Sequence, residues 1–331
     1  MLGRRFEAEI REQPAVWRRL AGSSKAEELA RAIGESRVCF VGSGSSLFVG
    51  MLGALAFRRR GIVAAALPAS EARFDNAAYS GGCVIALSQS GRSADVLAAV
   101  ETLRPKYLVA LTNDSGSPLA ARADLAIDIA AGAEHAVPAT KSVTASAAIL
   151  LWAAALCAGH RNRTSATLRA TADDVEAWFA GEGWHEIEEA AAALAERRSL
   201  VILGAGYSVP ITLEIALKFK EAAYVHAEGF AAGEFRHGSS ALLDASRAIV
   251  GILDETSRAV VARPLDEAAN AGALRYVIGA SLGGIPRLGP VTADPFNTLA
   301  WLVTGQTLAL FAGRAAGIDG DAPRGLSKFL V

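Results

Sequence analysis

Two stretches of this chain repeat one another at a fixed distance. Arg37-Val-Cys-Phe-Val-Gly-Ser-Gly-Ser-Ser46 and Ser199-Leu-Val-Ile-Leu-Gly-Ala-Gly-Tyr-Ser208 each run as an apolar segment, then Gly-x-Gly-x-Ser, then a helical pattern. Gly42 and Gly204, Gly44 and Gly206, and Ser46 and Ser208 share one offset of 162 residues. An uninterrupted apolar run suits a parallel strand buried on both faces, and the glycines let the backbone turn tightly into the following helix. The repeat predicts two tandem α/β units, and 331 residues are enough for two such cores.

Further strand–turn–helix units support the same class. Gly82-Cys-Val-Ile-Ala-Leu-Ser88 leads through Gln89-Ser-Gly-Arg-Ser-Ala-Asp95 into a helical pattern, and Tyr107-Leu-Val-Ala-Leu-Thr112 leads into a second polar turn. Strands alternating with helices at this spacing imply parallel sheets flanked by crossover helices. The expected organisation is a helical leader over 1–34, with Pro14 breaking it into two helices, and a first α/β domain over 35–160. A helical connection over 161–197, a second domain over 198–317 and a tail over 318–331 follow.

Composition narrows the function classes. The formal net charge of −1 gives no global basic field to recruit nucleic acid or an anionic membrane, so an anionic small molecule needs a local site. Cys39, Cys83 and Cys157 are scattered, two of them inside apolar runs, and the five histidines do not cluster. No zinc-ligand spacing is present and no metal is expected; reduced thiols point to the cytoplasm. Met1-Leu-Gly-Arg-Arg continues without an apolar signal region. Ser142–Gly159 and Pro295–Gly313 lack charged residues and approach the length of a membrane span, but their hydroxyl and amide residues favour helices buried inside a large α/β protein.

The candidate chemistry lies in the turns. A dinucleotide site requires Gly-x-Gly-x-x-Gly, and Leu47 and Val209 occupy the sixth position in the two copies, so no nicotinamide cofactor is expected. Ser88-Gln-Ser-Gly-Arg-Ser93 follows a buried strand and opens a helix, where amides and hydroxyls can hold an anion; a Ser-rich helix cap is the plainer alternative. The matching turn Ser43-Gly-Ser-Ser46 favours a site, since both turns fall at carboxyl ends of strands. For the second Gly-x-Gly turn, a purely structural role is favoured. In His135-Ala-Val-Pro-Ala-Thr-Lys141, Thr140 reads as an N-cap and Lys141 as a solvated first-turn charge. Glu214–Glu221 is helical, with most of its charges expected at the surface. Gly229-Phe-Ala-Ala-Gly233 and Gly238-Ser-Ser240 mark a loop of close approach, and Lys328 alone reads as a chain-end lysine. Lys218-Phe-Lys-Glu221, Gly233-Glu-Phe-Arg-His-Gly238 and Lys328 nevertheless supply a carboxylate, an imidazole and an amine, which can open a sugar ring, hold a carbonyl and move a proton between carbons.

These motifs, in this order, resemble the double sugar-isomerase (SIS) domain family. They are Ser88-Gln-Ser-Gly-x-Ser, Val137-x-Ala-Thr-Lys, Glu214-x-Ala-Leu-Lys-x-Lys-Glu221, His226-Ala-Glu, Gly233-Glu-x-x-His-Gly and Pro323-Arg-x-Leu-x-Lys328. The resemblance covers nearly the whole chain, down to a leader helix at Glu9-Ile-Arg-Glu-Gln-Pro14, and is strongest to the isomerase half of glucosamine-6-phosphate synthase and to SIS-type glucosamine-6-phosphate deaminases. It implies two flavodoxin-like domains without nucleotide, in a homodimer. Ser88, Gln89, Ser90 and Ser93 would hold the sugar phosphate. Gly44, Ser45, Ser46, Val137, Ala139 and Ser327 would line the sugar. Glu221 would shuttle a proton between C1 and C2, His237 would open the ring across a dimer interface, and Lys328 would engage the open-chain carbonyl as a Schiff base.

Some positions depart from the family pattern. Ala139 stands where the synthases carry serine, Arg92 replaces an acidic residue of the phosphate loop, and only Phe-Leu-Val follows Lys328. As the chain stands, it opens on the leader helix with no glutamine-hydrolysing domain, so the expected reaction is deamination of glucosamine 6-phosphate to fructose 6-phosphate and ammonia, with no cofactor. Either Lys328 or water would act on the C2 imine. The alternatives are a phosphosugar isomerase, a deglycase for phosphorylated fructose–amine adducts, or a sugar-phosphate sensor without turnover. Retention of Glu221, His237 and Lys328 argues against the sensor. No nucleic-acid or membrane partner is expected.

Overall fold

The computed structural model describes residues 1–34, 37–72, 74, 82–157 and 164–328. Three leader helices, α1 (Arg4–Arg11), α2 (Gln13–Leu20) and α3 (Lys25–Ile33), precede the first sheet. The chain then runs β1 (Val38–Gly42), α4 (Ser45–Arg58), β2 (Ala64–Pro68), β3 (Cys83–Leu87), α5 (Ala94–Leu103), β4 (Tyr107–Thr112), α6 (Pro118–Arg122), β5 (Leu125–Asp128) and α7 (Lys141–Cys157). Helices α8 (Thr164–Ala180) and α9 (Gly183–Ala195) lead to β6 (Ser199–Gly204), α10 (Ser208–Ala223), β7 (Ala227–Ala231), α11 (Ala232–Phe235), β8 (Arg247–Leu253), α12 (Arg258–Asn270), β9 (Leu274–Gly279), β10 (Arg287–Leu288) and α13 (Asn297–Ala315). Pro14 falls at the second position of α2, where its missing N–H would have been unpaired anyway, so the break precedes it at Glu12. Residues 161–163 of the expected connection lie outside the described residues.

Both sheets are five-stranded, with orders β2-β1-β3-β4-β5 and β10-β9-β8-β6-β7. Among the described residues, all eight strand pairings are parallel. Counting strands from the start of each domain, the two orders are one order, 2-1-3-4-5, that of flavodoxin-like folds. The fold is therefore α/β with two tandem doubly wound sheets, as the repeated turns predicted. All of β1 and β3 is buried, which is why both read as unbroken apolar runs. Alternate residues serve opposite faces. Cys39, Val41, Val84 and Ala86 join Val96, Leu103 and Leu119 in one core, and Val201, Leu203, Ile249 and Val277 join Phe235, Val261 and Leu265 in the other.

Packing divides the chain into two compact units that do not follow sequence order. The one containing the first sheet comprises Ala15–Glu134, Lys141–Arg169 and the end of the chain from Ser327, and the one containing the second sheet comprises Met1–Pro14, His135–Thr140 and Ala170–Leu326.

The two apolar helices singled out by composition are buried around their whole circumference, α7 from Lys141 to Ala155 and α13 from Thr298 to Gly313. Among the described residues no helix is long and apolar enough to cross a membrane. Lys141, expected to be solvated, is instead 2 % exposed. A buried polar pair secures the leader of the first-sheet unit, where Trp17 Nε1 donates to Thr144 Oγ1 at 3.1 Å. Thr144→Val removes the acceptor with little change of shape and strands the indole N–H. We expect urea denaturation to show a loss of about 1–3 kcal/mol, with Thr144→Ser close to the parent protein.

Candidate active site

In each sheet the strand order reverses between the domain's first and third strands, leaving a crevice at their carboxyl ends. In the first sheet it lies between β1 and β3 and receives both predicted Ser turns. Gly44 caps α4 at φ 54°, in the left-handed region that glycine adopts at no steric cost. Ser43, Ser45 and Ser46 around it are half-buried. In the second turn, Ser88 Oγ accepts from Gly91 N at 3.1 Å and Ser90 Oγ accepts from Arg92 N at 3.2 Å. Both hydroxyls are thus fixed as acceptors while each keeps an O–H to donate. Ser93 is the N-cap of α5 but makes no side-chain capping bond, so the plainer reading of this turn as a Ser cap does not describe it.

The loop is clamped from below. The Gln89 carbonyl accepts from Asn113 N at 3.0 Å and the Gly91 carbonyl from Leu119 N at 3.1 Å. A Cβ on Gly91 would stand 2.0 Å from Ser117 Oγ, so only glycine fits there. Arg92 points outward into an exposed ion pair with Asp114 at 2.9 Å, worth at most about 1 kcal/mol.

The crevice of the second sheet has different contents. Gly206 again has positive φ, 61°. Ser208, 1 % exposed, turns inward, accepting from Ala205 N at 2.8 Å and lying 3.1 Å from the Ile252 carbonyl. Beside it Asp254 Oδ1 accepts from Thr256 Oγ1 at 2.7 Å and from Ser257 N and Oγ, both at 2.8 Å. Burial pushes the Asp254 carboxyl up, but these hydrogen bonds outweigh it and hold the pKa below the usual range. A filled turn beside a carboxylate disfavours an anion, so of the two crevices the first is suited to phosphate.

Helix α10 carries a second cluster. Glu214, Lys218 and Glu221 stand at i, i+4 and i+7, on one face. Lys218 Nζ donates to Glu221 Oε2 at 2.6 Å and lies 3.4 Å from Glu214 Oε1, with Glu214 and Lys218 buried and the Glu221 side chain 18 % exposed. Burial alone would lower the Lys218 pKa, yet attraction to Glu214 and Glu221, with their hydrogen bonds, raises it. The expectation of solvated charges on this helix is corrected here: Lys220 faces solvent and Lys218 faces inward. Glu221, at the accessible end, keeps a partly exposed carboxylate oriented by a buried cation. Below it, a Cβ on Gly229 of β7 would come within 2.6 Å of the Thr212 backbone, so the close approach expected near Gly229 occurs in a strand against α10. Gly233 has open space instead.

Lys328 also meets a buried carboxylate. Its Nζ lies 3.0 Å from Glu134 Oε2, whose side chain is fully buried. Ser142 completes the site, its N donating to Glu134 Oε1 at 3.1 Å and its Oγ to Oε2 at 2.7 Å. The lysine is held at a defined point, its side chain 14 % exposed.

The remaining predicted residues divide by unit. Val137 and Ala139 are half-buried in the segment His135–Thr140, which packs in the second-sheet unit. Its backbone is gripped by Glu9 of the leader, whose carboxylate accepts from the amides of His135 and Ala136. Gln306 Nε2 reaches the Thr140 carbonyl at 3.5 Å, while Gln306 Oε1 accepts from Gln13 Nε2 at 2.8 Å. His237 is exposed just after α11, and no described ion pair joins it to Glu221; Ser327 is also exposed. The structure thus collects Gly44, Ser45, Ser46, Ser88, Gln89, Ser90, Ser93 and Lys328 in one unit, and Val137, Ala139, Glu221 and His237 in the other.

Sequence reasoning missed Glu214, Lys218, Glu134 and Glu9 as buried polar anchors. The Glu-x-x-x-Lys-x-x-Glu spacing was a readable signal for the first two. None existed for Glu134, whose lysine lies 194 residues away. Lys218→Met strands two carboxylates against a buried aliphatic chain. We expect about 3–5 kcal/mol of lost stability by urea denaturation. Glu9→Ala leaves two backbone amides without their acceptor; the expected result is faster hydrogen exchange at His135 and Ala136, read by mass spectrometry, with the α5 amides unchanged.

Comparison with known proteins agrees with this architecture. A family profile described as SIS domain matches residues 33–156 and 193–284. The glutamine–fructose-6-phosphate aminotransferases (isomerizing) of Sulfolobus acidocaldarius and Aeropyrum pernix are both 32 % identical to the chain, over 91 % and 97 % of it. They are matched over 51 % and 56 % of their own length, so the chain spans about half the length of these relatives. The solved glucosamine-6-phosphate deaminase of Thermotoga maritima superposes with a TM-score of 0.81 at 26 % identity, covering 98 % of this chain and 99 % of that one. The C-terminal domain of the Francisella tularensis glucosamine–fructose-6-phosphate aminotransferase shares the fold, with a TM-score of 0.85 at 24 % identity, covering 96 % and 98 %. Two flavodoxin-like sheets with one anion-ready crevice, and a profile matching most of both, place this chain in the SIS-domain family.

Proposed function

We propose that the chain is a phosphosugar aldose–ketose isomerase whose physiological reaction is deamination of glucosamine 6-phosphate. The observation that carries this reading is the Glu214–Lys218–Glu221 cluster, in which a buried ammonium holds one partly exposed carboxylate in place. Moving a proton between adjacent carbons needs one positioned carboxylate that can accept and return it. In this reading the Ser88–Ser93 turn and the N-termini of α4 and α5 bind the phosphate, and Gly44, Ser45, Ser46, Val137, Ala139 and Ser327 line the sugar. His237 assists ring opening from across a homodimer interface, a role its exposure allows. Glu221 takes the C2 proton of the open-chain aldehyde and returns it at C1, leaving an imine at C2. Water then adds to the imine, giving fructose 6-phosphate and ammonia, and Lys328 exchanges with or holds the carbonyl. The similarity to the Thermotoga maritima deaminase over 98 % of the chain supports this substrate class.

The test is release of ammonia and fructose 6-phosphate from glucosamine 6-phosphate by purified protein. We expect equal amounts of both, a fall of at least about a thousandfold in kcat for Glu221→Gln, and for the Ser90→Ala/Ser93→Ala double variant a raised KM with a smaller change in kcat. Interconversion of glucose 6-phosphate and fructose 6-phosphate without ammonia would leave the isomerase and remove the deaminase. Amine release from phosphorylated fructosamines alone would make it a deglycase. Saturable sugar-phosphate binding with no turnover of any of these would make it a sensor.

A further inference from the structure

The second-sheet unit contains a cavity that none of the chemistry above uses. It measures about 380 Å³ and opens among Arg197, Arg275, Tyr276, Ala273, Leu274 and Ile285. Arg197 precedes β6, Ala273 precedes β9 and Leu274 begins it, and Ile285 precedes β10, so the cavity sits at the amino ends of parallel strands. The crevice of the same sheet lies at the carboxyl ends, and six residues of β9 separate the two edges by about 20 Å.

Its polar lining has one sign. Arg197 Nη1 is tied to the Ala245 carbonyl at 3.2 Å and Arg275 Nη1 to the Leu265 carbonyl at 3.3 Å. Each guanidinium is anchored by a backbone oxygen, and neither forms an ion pair among the described residues. No carboxylate lines the cavity. Arg197 Nε is buried with no hydrogen-bond partner among the described residues, a donor left unmet. Tyr276 adds a phenol kept protonated: burial pushes its pKa up and Glu189 adds to this, with Arg197 opposing. It therefore stands as a hydroxyl donor. Ala273, Leu274 and Ile285 supply an apolar wall.

We propose that this cavity is a second ligand site, for a small organic oxyanion. Two guanidiniums and a phenol donor match the oxygens of a phosphate or carboxylate. The apolar wall suits the ligand's carbon body, and the volume falls in the range of small-molecule pockets. The site is independent of the reaction proposed above, since it shares no residue with it.

The experiment is calorimetric titration of the full chain with inorganic pyrophosphate and, separately, with citrate. It is run on the parent protein, on Arg197→Met/Arg275→Met, and on Ser90→Ala/Ser93→Ala. Arginine modification by phenylglyoxal, mapped by mass spectrometry, reports protection on the unaltered protein, so a misfolded variant does not decide the outcome. The expected result is saturable binding with a component weakened at least about tenfold in the arginine variant and retained in the serine variant, with Arg197 and Arg275 protected. Tighter pyrophosphate assigns the site to phosphate esters, and tighter citrate to carboxylates. Binding lost only in the serine variant, or no protection of either arginine at saturation, overturns the proposal. No saturation by either anion in the millimolar range overturns it too.

Discussion

A parallel sheet covered on both faces leaves its strand ends as the places where backbone polar groups and turns meet open space, and the rest of this molecule depends on that constraint. Strand faces are consumed by the cores: Val38–Gly42 and Cys83–Leu87 are buried throughout. Chemistry must therefore gather at edges. At the carboxyl edge of the first sheet, the order β2-β1-β3-β4-β5 parts the connections after β1 and β3 and opens a crevice where two helices begin. The Ser turns fall there because no other part of the sheet has room for them.

The duplicated sheets show how one backbone can take opposite electrostatic roles. Gly44 and Gly206 both have positive φ, 54° and 61°. Ser46 is half-exposed, whereas Ser208 is consumed by neighbouring backbone. The loop after the third strand is Ser88-Gln-Ser-Gly in one copy and Asp254-Glu-Thr-Ser in the other. A serine loop retains O–H groups to donate, and an aspartate that has gathered three local hydrogen bonds offers negative charge instead. The strand order is the same in both sheets, while the contents of the second crevice disfavour an anion.

Several buried charges inside the units are held by a partner of opposite charge or by backbone amides. Lys218 is shared between Glu214 and Glu221, Glu134 holds Lys328 and Ser142, and Glu9 grips the amides before Val137. Since a lone buried charge is costly, these pairings fix side chains that would otherwise move. Each grips an element carrying a residue proposed for substrate, so the interactions that stabilise each unit also fix those residues within it.

From the sequence alone came the α/β class, the duplication, the strands, the Ser turns and the family. The first four rest on local periodicity and turn chemistry, which need only neighbouring residues, and the family rests on the resemblance of its motifs in their order. The helix spacing of Glu214, Lys218 and Glu221 was equally legible, but its burial was not, because periodicity shows which residues share a face and not what covers it. Lys141 was misjudged for that reason. Other features exist only in the tertiary structure. The Lys328–Glu134 pair spans 194 residues, and the segment His135–Thr140 packs with the second sheet although it lies in the first half of the chain. The arginine-lined cavity draws on residues as far apart as Arg197 and Ile285. Turns and strands follow from short-range sterics, whereas the partner of a buried charge is decided by which distant segment the folded chain brings within about 3 Å of it.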